Sequence, residues 1–331
     1  MKNEKIDFVI TWVDDRDQTW LKERHKYAKK YDNIDNRDIR FRNYDTLKYW
    51  FRAVEKNAPW VNKIHFITSG HLPEWINTKN PKLHIVKHAD YMPSDALPTF
   101  NSNAIELKIH EIKGLSEQFV LFNDDMFLLK KVSKKDFFKK GIPCNTMALA
   151  PIIPFPGDQF YQMLANNMEI INKYFNYHDY KKKNLLKILS LKQGKYLLKT
   201  LPFLIYNKYP GFTNFHVCNS FLKSTFKEVW QKESNMLNQT VYSKFRNNHD
   251  NVSQWLFNYW QYASGKFYQR NYHFGININI DNKKAIKIIK KRQYKFICLS
   301  DCEYQKDYNL VKEAITDAFE KIYPDKSEFE I

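Results

Sequence analysis

Two adjacent acids, Asp124 and Asp125, stand in FNDDMF between the apolar runs FVLF (119–122) and MFLL (126–129). Neighbouring carboxylates at the end of a buried strand can hold Mg2+ or Mn2+, hard ions that prefer oxygen ligands. Such an ion would in turn hold the diphosphate of a nucleotide sugar. A second acidic pair, Asp14 and Asp15, follows the β-rich run DFVITWV (7–13). The competing reading of a DD pair is a turn or a helix cap, which uses the same residues.

For the two pairs to meet, strands and helices must alternate. KIHFITSG (63–70), KLHIVKH (82–88) and EQFVLFNDD (118–125) read as further strands. DTLKYWFRAVEKN (45–57) carries apolar residues at 47, 50, 51 and 54, the spacing of a helix. LPEWINTKN (72–80) reads as a short helix or turn. TFNSNAIELKIHEI (99–112) is the next helix, with Ile105, Ile109 and Ile112 on one face and Asn101 or Ser102 as cap. Such alternation implies a mostly parallel sheet. Parallel sheets bind ligands at the carboxyl ends of their strands, so both acidic pairs are expected on one edge.

The middle of the chain changes character. IPFPG (153–157) breaks the pattern, and KKKNLLKILSLKQGKYLLKTLPFLIYNKYPGF (181–212) mixes leucines and lysines at helical spacing. It predicts an amphipathic helix pair facing an anionic membrane or polymer, or equally an ordinary packed helix with a basic face. FHVCNSFLKSTFKEVW (215–230) and VYSKFRNNHDNVSQWLFNYW (241–260) read as helices. KFICLSDC (295–302) reads as a strand ending in Asp301, and VKEAITDAFEKIYP (311–324) as an amphipathic helix packed on the body.

The 331 residues suffice for one large or two ordinary domains, and 43% hydrophobic with 16% aromatic content supports a sizeable core. The net charge of +17 suits an anionic partner: a nucleotide, a phosphorylated polymer, a nucleic acid or an acidic membrane. A lysine-rich solvated surface gives the same charge. No apolar leader follows Met1 and no run of about 18 apolar residues occurs. The expected location is cytoplasmic, at most against the inner face of the membrane. The four cysteines are scattered, and without a second pair at zinc spacing beside CLSDC they read as free thiols.

Longer blocks narrow the function. IDFVITWVDDRDQTW (6–20), RNYDTLKYWFRAVEKNAPWVNKIHFITSGHLPEWIN (42–77), LPTFNSNAIE (97–106) and GLSEQFVLFNDDMF (114–127) occur in the order and wording of the Stealth family. That family holds bacterial capsular and receptor polysaccharide phosphotransferases and the catalytic part of lysosomal-enzyme N-acetylglucosamine-1-phosphotransferase. The chain resembles it densely over 6–130, and again in FHVCNSF, YSKFRNNHDNVSQW and KFICLSD. The resemblance implies transfer of hexose-1-phosphate from a UDP-sugar to a glycan hydroxyl, with release of UMP. Its acceptor would be an oligosaccharide or a growing, lipid-linked or free polysaccharide. Carried over residue by residue, it implies that Asp124 and Asp125 hold Mg2+ or Mn2+, with Asp125 the stronger candidate for the metal or diphosphate role. Glu106 in NAIE and His216 in FHVCNSF match the functional acid and histidine, either of which would act as the base. Arg246 in KFRNNHD would clamp phosphate, and Arg40 would neutralise charge near the nucleotide. Trp12, Val13 and Asp14 would receive the uridine. Asp301 would hold the edge of the site. Asn43 and Cys218 depart from the family's usual Asp and Pro.

Two rivals remain. A conventional metal-dependent glycosyltransferase would use the same acids and release UDP. A non-catalytic binder of nucleic acid or acidic glycan is supported by charge and aromatics. Acids in an anion-binding groove argue against it, and no nucleic-acid partner is expected. The expected architecture is an α/β, Rossmann-like, GT-A-related core at 1–150 and 245–310. A helical basic insertion at 155–240 would cover the site, and a C-terminal helix within 311–331 would pack on the core.

Overall fold

The computed structural model describes residues 4–32, 34–247, 252–302 and 307–331. Along the chain run β1 (Ile6–Thr11), β2 (Ile64–Thr68), β3 (Leu83–Lys87), β4 (Gln118–Phe122), β5 (Met126–Leu128), β6 (Phe138–Lys139), β7 (Ile142–Asn145), β8 (Asn219–Leu222), β9 (Tyr268–Gln269), β10 (Gly275–Asn279) and β11 (Phe296–Ser300). The main sheet has the order β3-β2-β1-β4-β8. Its first four strands are parallel and β8 is antiparallel to β4. The order 3-2-1-4 places a topological switch between β1 and β4, where open α/β sheets leave a crevice at the strands' carboxyl ends. Ile10 pairs with Phe122, so the residues after both strands emerge level with one another.

Side chains alternate across this sheet with a period of two. Phe8, Ile10, Val120 and Phe122 join one apolar cluster; Val9, Phe119 and Leu121 join the other. Both faces are buried, which is why the parallel strands read as continuous apolar runs rather than alternating ones. The helix Leu47–Asn57 covers the first face and buries Leu47, Trp50, Phe51 and Val54, the residues its spacing marks. The helix Tyr308–Ile322 follows, and Arg52 ties the end of the chain down through Glu330 at 2.8 Å and the carbonyl of Tyr323 at 2.9 Å.

A second sheet, β10-β11-β5, grows out of the first. β5 follows the paired acids directly and runs antiparallel to β11, and Leu299 donates its backbone N–H to the carbonyl of Asp125 at 2.9 Å. Asp124 and Asp125 are thus fixed in the corner where one sheet hands over to the next. A small sheet, β6-β7-β9, completes the strands.

Several expectations are corrected. The segment 215–230 is not wholly helical: β8 occupies Asn219–Leu222, and the helix Lys223–Tyr242 starts after it. Burial of Phe221 against β4 outweighs the helical spacing of that short stretch. Of 241–260, only Trp255–Ala263 and the end of the preceding helix are helical, and residues 248–251 lie outside the described residues. The segment 72–80 is the turn alternative, with no helix, while that at 99–112 shortens to Ser102–Leu107 plus a single 3-10 turn at Ile109–Glu111. The region 155–240 does contain helices, among them Gln159–Tyr174, Tyr177–Ile188 and Tyr196–Thr200. It also supplies β8, and Ile170, Ile171 and Tyr177 share the cluster of Val9 and Phe119. It therefore builds the second face of the core.

Candidate functional site

A cavity of about 310 Å3 opens at the carboxyl ends of β1 and β4. Its walls include Trp12, Arg40, Asn43, Glu106, Asp124, Asp125, His216, Arg246 and Asp301, nine of the eleven residues singled out from sequence. A smaller cavity of about 130 Å3 adjoins it, sharing Trp12, Arg40, Asp124 and Arg246 and adding Val13, Trp20 and Phe100. Asp14 lines neither: its carboxylate meets Arg16 Nε at 3.4 Å.

Each side chain is placed by a distinct element. Asp124 and Asp125 occupy the link from β4 to β5. Glu106 sits on the helix Ser102–Leu107, whose N-terminus is capped by Asn101 accepting from Asn103 N at 3.1 Å. His216 lies just ahead of β8, so the antiparallel pairing of β8 with β4 delivers it to the acids. Its Nε2 is 3.8 Å from Asp125 Oδ2, and Cys298 Sγ on β11 is 3.2 Å from the same oxygen. The donor atoms of Asp125, His216 and Cys298 lie within 4.8 Å of one another. Asp124 is not in that group, although sequence paired it with Asp125 as a metal ligand.

The electrostatics follow from burial. Burial, then the charge of Asp125, raises the Asp124 carboxyl to about 7. Burial also lifts Glu106 to about 7, against the pull of Arg246 and His216. For His216 burial disfavours the charged ring, but Asp125 and Glu106 outweigh it and hold its pKa above the ordinary value. Arg246 is lowered to about 10, first by burial and then by Arg40; it stays charged at neutral pH. Asp125 Oδ1 is buried with no hydrogen-bond partner among the described residues. Buried acceptors are ordinarily satisfied, and two acids this close resist ionising together unless a cation intervenes. An unsatisfied carboxylate oxygen beside a suppressed second acid fits a divalent cation.

Arg40 is held in turn. Asp35 accepts from Arg40 Nε at 2.6 Å and Arg37 Nε at 2.7 Å, and its backbone N–H donates to the carbonyl of Arg246 at 3.1 Å. On the opposite rim Asp301 accepts from Tyr44 OH at 2.7 Å and pairs with Arg42 at 3.2 Å. Asn43 caps a turn by accepting from Asp45 N at 2.8 Å and donates its backbone N–H to Asp15 at 3.2 Å.

Family models for Stealth protein conserved region 1 and conserved region 2 match residues 4–32 and 40–145. The chain is 45% identical to a capsular polysaccharide phosphotransferase of Streptococcus pneumoniae, WcwK, over 100% of this chain and 99% of that one. The chain belongs to the Stealth family. A receptor polysaccharide phosphotransferase of Streptococcus oralis, WefC, is 40% identical over 99% of both chains. Among solved structures, the galactosyltransferase LgtC aligns over 94% of this chain and 95% of its own, at 10% identity and a TM-score of 0.41.

Residues after 145, among them His216, Arg246 and Asp301, lie outside the two family-model matches and inside the full-length alignments. Sequence reasoning missed Cys298, Asp35 and the Arg42–Tyr44 pair. Cys298 was legible in principle, since the strand FICLS places residues 296, 298 and 300 on one side of β11. Asp35 was signalled by the alternating acids and arginines of DNIDNRDIR.

Proposed function

We propose that this Stealth protein transfers a hexose-1-phosphate or N-acetylhexosamine-1-phosphate from a UDP-sugar to a hydroxyl of a glycan acceptor, in capsular or cell-surface polysaccharide synthesis on the cytoplasmic side. One observation carries the reading: two acids, a buried glutamate, a histidine and a partly buried arginine converge on one cavity at the β1/β4 edge. The full-length relatives bearing the name phosphotransferase support phosphoryl over glycosyl transfer.

In the reaction the acceptor oxygen bonds to the phosphorus next to the sugar. The bond from that phosphorus to the bridging oxygen breaks, UMP departs with that oxygen, and the hydroxyl proton passes to a base. Charge spreads over phosphoryl oxygens, so positioning and neutralisation supply most of the catalysis. Asp125, with Asp124 beside it, would hold Mg2+ or Mn2+, which when bound neutralises diphosphate charge. Hard ions take oxygen ligands, which leaves His216 to donate to a phosphoryl oxygen, as its raised pKa favours. Glu106, near 7, is partly ionised at neutral pH and takes the acceptor proton. Arg246 faces the phosphoryl charge, and Arg40 assists from the boundary of the two cavities. The smaller cavity, with Trp12, Val13, Trp20 and Phe100, receives the uracil.

The test is a panel of UDP-sugars with a short glycan acceptor, read by 31P NMR and by the nucleotide released. A phosphodiester signal with UMP is expected. Release of UDP, as a conventional glycosyltransferase would give, rejects the reading; so does failure to turn over any donor.

A further inference from the structure

The hairpin from 177 to 206 packs on the body through Tyr177, Tyr180, Ile188, Gln193 and Thr200, all buried. Lys181 Nζ donates to the carbonyls of Leu204 and Tyr206, each at 2.6 Å, tying the helix Tyr177–Ile188 to the turn Leu201–Ile205. This packing leaves a second apolar set outside. Leu186 is 89% exposed, Leu191 85%, Leu198 73% and Ile205 83%. Single exposed leucines are ordinary on a protein surface. With Leu185 and Leu201, also exposed, six large aliphatics along one short hairpin make an interaction surface. Around them, residues 181–208 hold eight lysines and no Asp or Glu.

We infer that this hairpin is a docking surface for an anionic lipid bilayer. Its outward residues are mainly aliphatic, suited to acyl chains, whereas sugar rings are held by flat aromatic faces. The one-signed charge repels a second copy of the same surface and matches the negative potential of an anionic leaflet. Tyr206, half exposed, joins the leucines, as rings at a membrane boundary do. No helix among the described residues is long and apolar enough to cross a membrane, so the contact lies in the interfacial plane. The helix Gln159–Tyr174 starts at the catalytic cavity, which Phe160 and Met163 line, and leads straight into the hairpin. Docking therefore keeps the cavity within one helix of the lipid surface.

The test is co-sedimentation of the full chain with vesicles of mixed phosphatidylglycerol and phosphatidylcholine, against phosphatidylcholine alone. Wild type is expected to sediment with the mixture only, and to be released by salt. The triple variant Lys182→Gln, Lys183→Gln, Lys192→Gln should lose about fivefold in partition per lysine. The triple variant Leu186→Gln, Leu191→Gln, Ile205→Gln should lose at least about tenfold at unchanged charge. All six residues are exposed and outside the cavity, so both variants should turn over soluble donor with a short acceptor as wild type does, which separates this inference from the proposed reaction. Equal sedimentation with both vesicle types, or with neither, overturns the inference. So does a leucine variant that binds like wild type, the result expected if the surface holds an acidic glycan by charge alone.

Discussion

Replacing Asp35 by asparagine removes the charge that holds two arginines beside the cavity while keeping the shape of the side chain. Asp35 is 5% exposed and accepts from both Arg37 and Arg40. Burial alone would raise its pKa, but the two arginines outweigh burial and bring it from 3.8 to about 2. A depression of nearly two units corresponds to about 2 kcal/mol of folding stability at neutral pH. That figure is a ceiling, because the Arg37 side chain is half exposed and screened by water. Since the folded pKa is the lower one, the contribution is present above the unfolded value and drains away as pH falls toward the folded one. Urea denaturation should therefore separate wild type from Asp35→Asn by up to about 2 kcal/mol at pH 7, and by about half as much near pH 3. A gap that holds constant or widens on acidification would refute the ion-pair account. Arg40 lines both cavities, so the variant should also raise the donor KM by about tenfold, the cost of a displaced charge-assisted contact. An unchanged KM would show that Arg40 keeps its place without Asp35.

Asp125→Ala and His216→Ala should each abolish transfer, by about a thousandfold or more, while urea midpoints stay near wild type; near-normal rates in either reject its assignment. The rate should climb as pH rises through about 7, where Glu106 loses its proton, and Glu106→Gln should flatten that limb as well as lower the plateau; a limb that survives the substitution belongs to another group. Calorimetric titration with Mn2+ should give binding heat to wild type that Asp125→Asn loses, and a chelator should stop turnover; persistent heat in the variant places the ion elsewhere. Arg52→Met leaves the Glu330 side chain buried with no countercharge, held only by the N–H and hydroxyl of Ser327, which should cost about 3 kcal/mol in urea denaturation; a change below about 1 kcal/mol would mean that the Ser327 hydrogen bonds and packing hold this segment without the arginine.

The first four strands and the helix Leu47–Asn57 were legible because burial on both faces writes itself as apolar runs and as spacing at 47, 50, 51 and 54. The shared edge for Asp14–Asp15 and Asp124–Asp125 followed from the parallel topology. Four-residue β8 was illegible, since its pairing partner lies far away along the chain and its local pattern suits a helix. The paired acids were found by type, but their division of labour was not: only the fold shows that Asp125 turns toward His216 and Cys298 while Asp124 lines both cavities. Asp14 follows the right strand, but its carboxylate pairs with Arg16 and lines neither cavity.

The antiparallel docking of β8 governs when the molecule becomes competent. Trp12, Glu106 and both acids are in place in the chain once Leu128 has been synthesised, yet His216, Arg246 and Asp301 arrive only after a long helical excursion has been made and β8 has paired with β4. A half-grown chain leaving the ribosome thus carries one wall of the cavity, with Glu106 and the paired acids, and lacks the histidine and arginine of the other. The cavity therefore closes as one of the last acts of folding, in an order that the strand connections alone impose.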